Sequence, residues 1–372
     1  MWHGCVEVPS SLPNPAGAGV SPNAERWEAR DVFLDELEQH VPLEVRRSRP
    51  SAGVGLPPQD RVVGTMKKRP VRRVLVDISA TRDGALRKEV VDHEGGEASP
   101  SCGPRVLQGS RVLVTIVVAD TDRDIELGSR LLHGPKEHEW TAGSGARCEL
   151  AELAVASMRI GERCVVASKD PAMYSDAGLG VKGAPGREVE YLLHLREASL
   201  TELPEGPSAL LERAEAQKAA AAERLKEGKV QLALLKYQLL CEELQGALQV
   251  DAAAWGPEEA GRAGELQRAA RLNCAACLLR LERWAAACEA CDAVLEADSR
   301  NVKALFRRGQ ARLRLSDAIA AKRDFESALE IEPGNNEVKR QIEQCQRLID
   351  RAADRAKFQR ERKGQVAQEK WN

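Results

Sequence analysis

The second half of the chain repeats itself at an interval of 34 residues. Ala287 answers to Ala321, Cys291 to Phe325, Val294 to Ala328, Leu295 to Leu329 and Asn301 to Asn335, and the stretch DSRN at 298–301 answers to EPGN at 332–335. From residue 209 onward the chain is rich in Ala, Leu, Glu, Arg and Lys, all good helix formers. A fixed period of this length in a helical background points to units of two helices and a turn, none of which can bury its apolar face alone. The small residue at the Ala287 and Ala321 positions lets paired helices approach closely. A weaker third copy, GKVQLALLKY at 228–237, supplies a turn glycine, a small residue and an aromatic at repeat spacing. It starts 54 residues before the second unit, so about 20 extra residues intervene. These are expected to lengthen its second helix and add a loop at 255–259, outside the helices that form the groove. Stacking curves such an array and leaves a groove lined by the first helix of each unit.

Within NVKALFRRG at 301–309, Lys303 and Arg307 are four apart, which puts two cations on one helix face. Asn273, in LNCAAC at 272–277, stands in the matching part of the preceding unit, and Lys218 lies on the first helix of the earliest unit. Cations and an amide facing one concavity supply the chemistry that holds a peptide's carboxylates.

The first half reads differently. Residues 1–60 are rich in Pro, Gly, Ser and Arg and are expected to form a flexible arm, with one short helix at 24–39. Residues 61–200 carry short β-rich runs: RVLVDI at 73–78, RVLVTIVV at 111–118, RCVVA at 163–167 and VEYLLHL at 189–195. A short helix is expected at 148–158. The fold class is thus an α+β domain, an antiparallel sheet with one short helix. An all-α repeat domain at 209–336 follows, then a C-terminal capping helix at 337–372. On that last helix Val338, Ile342, Cys345, Leu348, Ile349 and Ala352 form an apolar stripe expected to cap the stack. Its basic end leaves two readings open: a solvated helix terminus, or an amphipathic helix for a partner of the calmodulin type.

The totals restrict function. Lys and Arg number 55 against 57 Asp and Glu, so neither nucleic acid nor membrane is indicated as a partner. There is no run of about 18 apolar residues. The N-terminus lacks a basic start with an apolar run, so no signal peptide is read there. The ten cysteines are read as reduced thiols. A cytoplasmic, and also nuclear, location follows as the expectation. Cys274, Cys277, Cys288 and Cys291 have metal-like spacing, but both pairs fall inside Ala-rich helices, so they read as core and not as zinc ligands. His133 and His138 are read as flanking a loop. No cofactor or metal is expected.

The groove residues resemble those of carboxylate-clamp tetratricopeptide repeats of chaperone-binding proteins. That family places Lys and Asn in the first repeat, Asn in the second, and Lys and Arg in the third. Lys218, Asn273, Lys303 and Arg307 fill four of these positions, and Ala222 replaces the first Asn. The resemblance implies binding of the acidic C-terminal peptide of heat-shock chaperones, of the Glu-Glu-Val-Asp type. The β-rich half resembles an FKBP-type prolyl isomerase domain. The resemblance runs over DGALRKEV at 83–90, GSRVLV at 109–114, WTAGSG at 140–145, AVASM at 154–158, RIGE at 159–162 and PAMY at 171–174. Together the two halves match the layout of the large FKBP-type immunophilins.

By that resemblance the proline cup keeps Trp140, Tyr174 and Tyr191, with Ile125 and Glu126 in place of a Phe-Asp pair. Arg147 and Cys148 replace a Val-Ile pair, Ala151 replaces the Trp of the floor, and Thr115 or Ile116 replaces a Tyr. The expectation is a co-chaperone or scaffold with a degraded isomerase site of weak or absent activity that takes proline-containing client segments. The alternatives are a working peptidyl-prolyl isomerase and a scaffold for another acidic-tailed protein.

Overall fold

The computed structural model describes residues 73–81, 86–91, 106–120, 131–199, 206–250 and 254–369, all within one compact unit. The expected arm and helix at 24–39 lie outside them. Six strands, β1 (Arg73–Asp77), β2 (Arg87–Val91), β3 (Arg111–Asp120), β4 (Leu131–Thr141), β5 (Arg163–Ser168) and β6 (Val189–Ala198), form one antiparallel sheet in the order β1-β2-β5-β6-β3-β4. The helix α1 (Glu149–Ala156) packs on β5 and β6 and buries Leu150, Leu153 and Val155 in one core with Val114, Ile116, Tyr191 and Leu193. A single turn, α2 (Pro171–Tyr174), follows β5; its N-cap Asp170 accepts the Ala172 N–H at 2.9 Å, and Pro171 sits where a helix needs no N–H.

Two strands escape the sequence reading. In β2, RKEVV puts charge where a strand pattern wants apolar residues. Lys88 is nevertheless buried, because its ammonium reaches Glu162 at 2.5 Å and the Ser157 carbonyl at 2.9 Å. β4 is an edge strand bonded only to β3. It contains Gly134 and Pro135 where the register slips between Ile116 and Val118, a bulge that tolerates the missing N–H. His133 and His138 therefore lie on one strand and do not flank a loop. The bulge turns the two rings, five residues apart, to the same side, with their Nε2 atoms 2.9 Å apart.

The helical half is α3 (Pro207–Lys226), α4 (Val230–Val250), α5 (Pro257–Arg280), α6 (Trp284–Ala297), α7 (Val302–Arg314), α8 (Ala318–Ile331) and α9 (Asn336–Glu369). The repeated Asn has a local cause: Asn301 caps α7 by accepting the Ala304 N–H at 3.1 Å, and Asn335 accepts the Val338 N–H at 3.2 Å. The turns inside the helix pairs need a left-handed residue. Gly228 supplies it in the first pair (φ 82°), whereas Glu282 (φ 59°) and Ser316 (φ 67°) adopt it with a side chain in the others. Ala287 and Ala321 are fully buried, and Gly309 lets Phe325 lie directly on α7.

Two expectations are corrected. The inserted residues do not stay outside the groove-forming helices, since α5 runs for 24 residues against 13 in α7 and Pro257–Glu259 are its first turn. Part of the insertion does lengthen the preceding helix as expected, α4 running for 21 residues against 14 in α6 and α8; the rest is at the N-terminal end of α5, away from Asn273. The apolar stripe of α9 covers the stack only through Cys345. Val338 and Cys345 are buried and Ile342 packs beside them, but Leu348 is 39% exposed and Ala352 is exposed too.

The two halves interlock. Leu232 of α4 is buried in the sheet's own core, and Ala80 from the end of β1 is buried in the helical one. Glu149, the first residue of α1, reaches across and accepts the Leu232 N–H at 2.7 Å, capping α4 from the other half. In return Arg224 donates to the Ser144 carbonyl, and Lys229 to the Gly145 and Arg147 carbonyls. Gln238 donates to the Ala80 carbonyl at 3.0 Å and Lys236 to Gln108 at 3.1 Å.

Burial pushes the Glu149 pKa up to about 7, against the pull of the Leu232 and Gln231 amides and of Lys229, with Asp170 adding to the rise. The folded chain therefore binds a proton that the unfolded chain releases between the ordinary carboxylate range and pH 7, and stability from this group grows as pH falls through that window. The expected result is that Glu149→Gln flattens the pH dependence of the melting temperature between pH 8 and 5; superimposable wild-type and variant profiles would contradict it. A Cβ on Gly309 would lie 2.7 Å from the Phe325 ring. Gly309→Ala is therefore expected to lower stability by about 1–3 kcal/mol, read as the shift in denaturant midpoint.

Candidate functional site

The first helices of the three pairs, α3, α5 and α7, pack in sequence and carry Lys218, Asn273 and Lys303 with Arg307. Arg307 is half-buried and donates Nη1 to the Leu272 carbonyl at 2.5 Å. Burial lowers its pKa, against the opposing influence of Cys291, Cys277 and Tyr237 beside it. Asn273 lies beside the Tyr237 phenol, whose pKa burial pushes up to about 12 while Asn273 pulls the other way. Tyr237 of α4 thus links Asn273 to the surroundings of Arg307, a connection the spacing alone did not reveal. Lys218 is half-buried and Lys303 exposed. Neither makes a hydrogen bond or ion pair among the described residues. Ala222, one turn beyond Lys218, offers no donor.

The neighbouring cations are spent. Arg308 grips Asp324 with two nitrogens, at 3.1 and 2.7 Å, and Asp292 at 2.6 Å; Arg312 reaches Asp324 at 2.8 Å. Asp324 is buried, so this is a structural network tying α7 to α6 and α8. Adjacent arginines on α7 therefore have opposite fates: Arg308 is neutralised, whereas Arg307 holds only a carbonyl.

In the sheet half, Trp140 lies one residue before the end of β4, Tyr174 ends α2 and Tyr191 lies in β6, and all are buried. The two phenols are occupied, whereas the buried Trp140 Nε1 has no hydrogen-bond partner among the described residues. The Tyr191 hydroxyl donates to the Tyr174 carbonyl at 2.6 Å; the Tyr174 hydroxyl donates to the Ala184 carbonyl at 2.8 Å and accepts the Ala184 N–H at 2.9 Å. Ala151 is fully buried on α1, and Ile116 belongs to the core. Ile125 and Glu126 lie outside the described residues.

Arg147 stands 5.7 Å over the Trp140 ring, 3.3 Å from His138 Nδ1 and 3.7 Å from Asp176. Buried Asp176 also accepts the Cys148 N–H at 2.9 Å and the Leu179 N–H at 3.0 Å. The amide at the head of α1 is therefore already bonded. Burial lowers the pKa of both His133 and His138, with Arg147 adding to the effect, so the pair is held toward its neutral form. Glu152 holds the preceding loop from inside by accepting the Gly143 and Gly145 N–H groups, each at 2.8 Å, while Arg224 and Lys229 hold it from the helical side. Asp176 was not singled out from sequence; nothing in its surroundings there distinguishes it from a loop residue.

Cys274 and Cys277 lie in α5, Cys288 and Cys291 in α6, and among the described residues no cluster of three or more His, Cys, Asp or Glu has metal-holding geometry. No helix among them is long and apolar enough to cross a membrane.

No family model matches the chain. It is similar to the human peptidyl-prolyl cis-trans isomerase FKBP4, at 30% identity over 287 residues covering 76% of this chain and 58% of that protein. It is also similar to the Arabidopsis thaliana isomerase PASTICCINO1, at 26% over 255 residues, 67% of this chain and 39% of that one. The chain thus spans a little over half the length of the first of these relatives. Among solved structures, the first tetratricopeptide domain of Spaghetti (RPAP3) bound to the HSP90 peptide SRMEEVD is 24% identical, covers 37% of this chain and 94% of its own, and has a TM-score of 0.31, too low to carry weight. The six-stranded antiparallel sheet with one short packed helix leads into stacked helix pairs, and the chain's homologues are FKBP-type immunophilins with tetratricopeptide repeats.

Proposed function

We propose that this chain is a co-chaperone or scaffold whose repeat groove takes the acidic C-terminal tail of heat-shock chaperones. The observation that carries the reading is the contrast between cations. Arg308 and Arg312 are neutralised by Asp292 and Asp324, whereas Lys218, on the first helix of the first pair, and Lys303 and Arg307, on that of the third, have no carboxylate partner among the described residues. An extended peptide with a terminal and a side-chain carboxylate complements them: Lys303 and Arg307 take one carboxylate, Lys218 another, and Asn273 lends its amide. Each charge-assisted contact contributes about 1.5–3 kcal/mol. Ala222 forgoes one such contact, which weakens the clamp without removing it.

The FKBP-like domain, on this reading, keeps Trp140, Tyr174, Tyr191, Ile125 and Glu126 as remnants of a proline cup with little isomerase activity. Three features support this. The Arg147 guanidinium lies over Trp140, the phenols are bonded to backbone, and the Cys148 N–H is taken by Asp176. Lowering a barrier of about 18–20 kcal/mol needs a dry apolar cup around the X-Pro bond, and a charged side chain at its wall opposes that. Its remaining role is to offer a surface to proline-containing client segments. The isomerase activity named for the relatives is the second reading, favoured by the buried aromatic walls.

A peptide ending in Glu-Glu-Val-Asp with a free carboxylate, titrated into the full chain, is expected to bind, and Lys303→Ala with Arg307→Ala to weaken it by about a hundredfold. Equal affinity in the double variant would refute the clamp; binding of a different acidic tail in preference would transfer the groove to another partner. In a proline-peptide isomerisation assay the full chain is expected to add little to the uncatalysed rate. Robust turnover would establish the second reading.

A further inference from the structure

His133 and His138 of β4 form a hydrogen-bonded chain with Arg147, and the far end of that chain dictates where its protons sit. A guanidinium only donates, so Arg147 Nη2, 3.3 Å away, requires His138 Nδ1 to accept. A neutral His138 therefore carries its proton on Nε2. His133 Nε2, at 2.9 Å, must accept that proton, so His133 carries its own on Nδ1. The chain closes only while both rings are neutral. A second proton on His138 sets an Nδ1–H against the guanidinium. A second proton on His133 sets N–H against N–H. The pair relieves this by moving the His138 proton to Nδ1, where it again meets Arg147.

Arg147 is the group that such a proton displaces. Its Cζ stands 5.7 Å over the Trp140 ring, and Asp176 lies 3.7 Å from its Nη1. Its Nε is buried with no hydrogen-bond partner among the described residues. Gly178 leaves room for Nη1, since a Cβ there would collide with it. We propose that His133 and His138 form a proton-operated latch: with both rings neutral they hold Arg147 across Trp140, and uptake of one proton releases Arg147 toward Asp176 and uncovers the ring to a proline-containing segment. The choice of ligand rests on the reading of Trp140 as a wall of a proline surface; the latch itself does not.

The surroundings of the pair set the direction of the switch. Burial opposes protonation of both rings most; Arg147 before α1 and Lys136 on β4 oppose it too, and His133 opposes that of His138. Asp176, which caps the short turn Ala177–Leu179, favours protonation of both, and the Leu179 backbone favours that of His133. On β3 the register partners of the pair are the apolar Val118 and Val114. Glu137 and Glu139 alternate to the other side of β4, where they pair with Arg196 and Arg111. The balance leaves both rings titrating below the ordinary histidine value of about 6.5. The latch is therefore shut at neutral pH and opens as pH falls through the lowered values.

The test follows the full chain by NMR from pH 8 to 5, with nitrogen-labelled histidine and 5-fluorotryptophan. His133→Gln and His138→Gln assign two of the six histidines, and Trp140→Phe one of the six tryptophans. At pH 8 the nitrogen shifts of the unmodified chain are expected to show His138 protonated on Nε2 and His133 on Nδ1. The Trp140 fluorine signal is expected to move with the same midpoint as the pair. It stays fixed in Arg147→Met and in the double variant His133→Gln with His138→Gln. Mixed tautomers at pH 8, or a fluorine shift that persists unchanged without the histidines, overturns the latch. In calorimetric titration the peptide Ala-Leu-Pro-Phe is expected to bind about tenfold more tightly at pH 5.5 than at pH 7.5, the factor given by a latch open about one-tenth of the time at the higher pH. Arg147→Met is expected to bind it equally at both. Equal binding by the unmodified chain overturns the regulation. Binding at neither pH, with the nitrogen and fluorine spectra as expected, overturns the proline surface and leaves the latch standing.

Discussion

A carboxylate from one half of the molecule caps a helix of the other, and most of the remaining architecture is arranged around that bond. Glu149 opens α1 in the sheet half and accepts the Leu232 N–H near the head of α4. A helix start buried against another domain leaves amides without partners, and water cannot reach them. The carboxylate satisfies them but is itself held out of water, which raises its pKa toward 7. Leu232 then becomes part of the sheet's core. The loop before α1, with Arg147 at its end, is gripped by Arg224 and Lys229 from the helical side. The region where a proline cup would open is thus partly built by the first repeat.

Pairing separates structural charge from charge left available to a ligand. Asp324 is buried and can remain so because Arg308 and Arg312 both hold it. Among the described residues no acid plays that role for Arg307. Its neighbours are thiols, a phenol and a carbonyl, which position the guanidinium without neutralising it. In the sheet half the situation is reversed: Arg147 and Asp176 are set against each other, and Asp176 also takes two backbone amides.

The helical half was legible because its signals are local and recur. Asn301 and Asn335 are N-caps, and Ala287 and Ala321 are contact points, so the period carries its own physical reasons. It also places Lys218, Asn273, Lys303 and Arg307 on first helices. What the period could not reveal is contact between units: Tyr237 with Asn273, or Arg308 with Asp292. The sheet was legible where strands are buried, as in β3 and β6. It was not legible in β2, whose charges are paired far away in sequence, nor in β4, whose edge position admits Gly134 and Pro135. The extent of α9's cover was misread because a stripe of apolar residues states what a helix could bury, not how far its neighbour reaches.

The turns inside the helix pairs give the stack a direction. The first pair turns at Gly228 without strain and is bolted to the sheet; the later pairs turn at Glu282 and Ser316, where a side chain must tolerate a left-handed backbone. Toward the C-terminal end α9 runs on beyond Cys345 with Leu348 and Phe358 in solvent. An array in which each unit leans on its neighbour, fixed at one end and strained at its later joints, opens from the free end inward. Order in this molecule therefore propagates from the sheet outward, and each unit's stability is borrowed from the one before it.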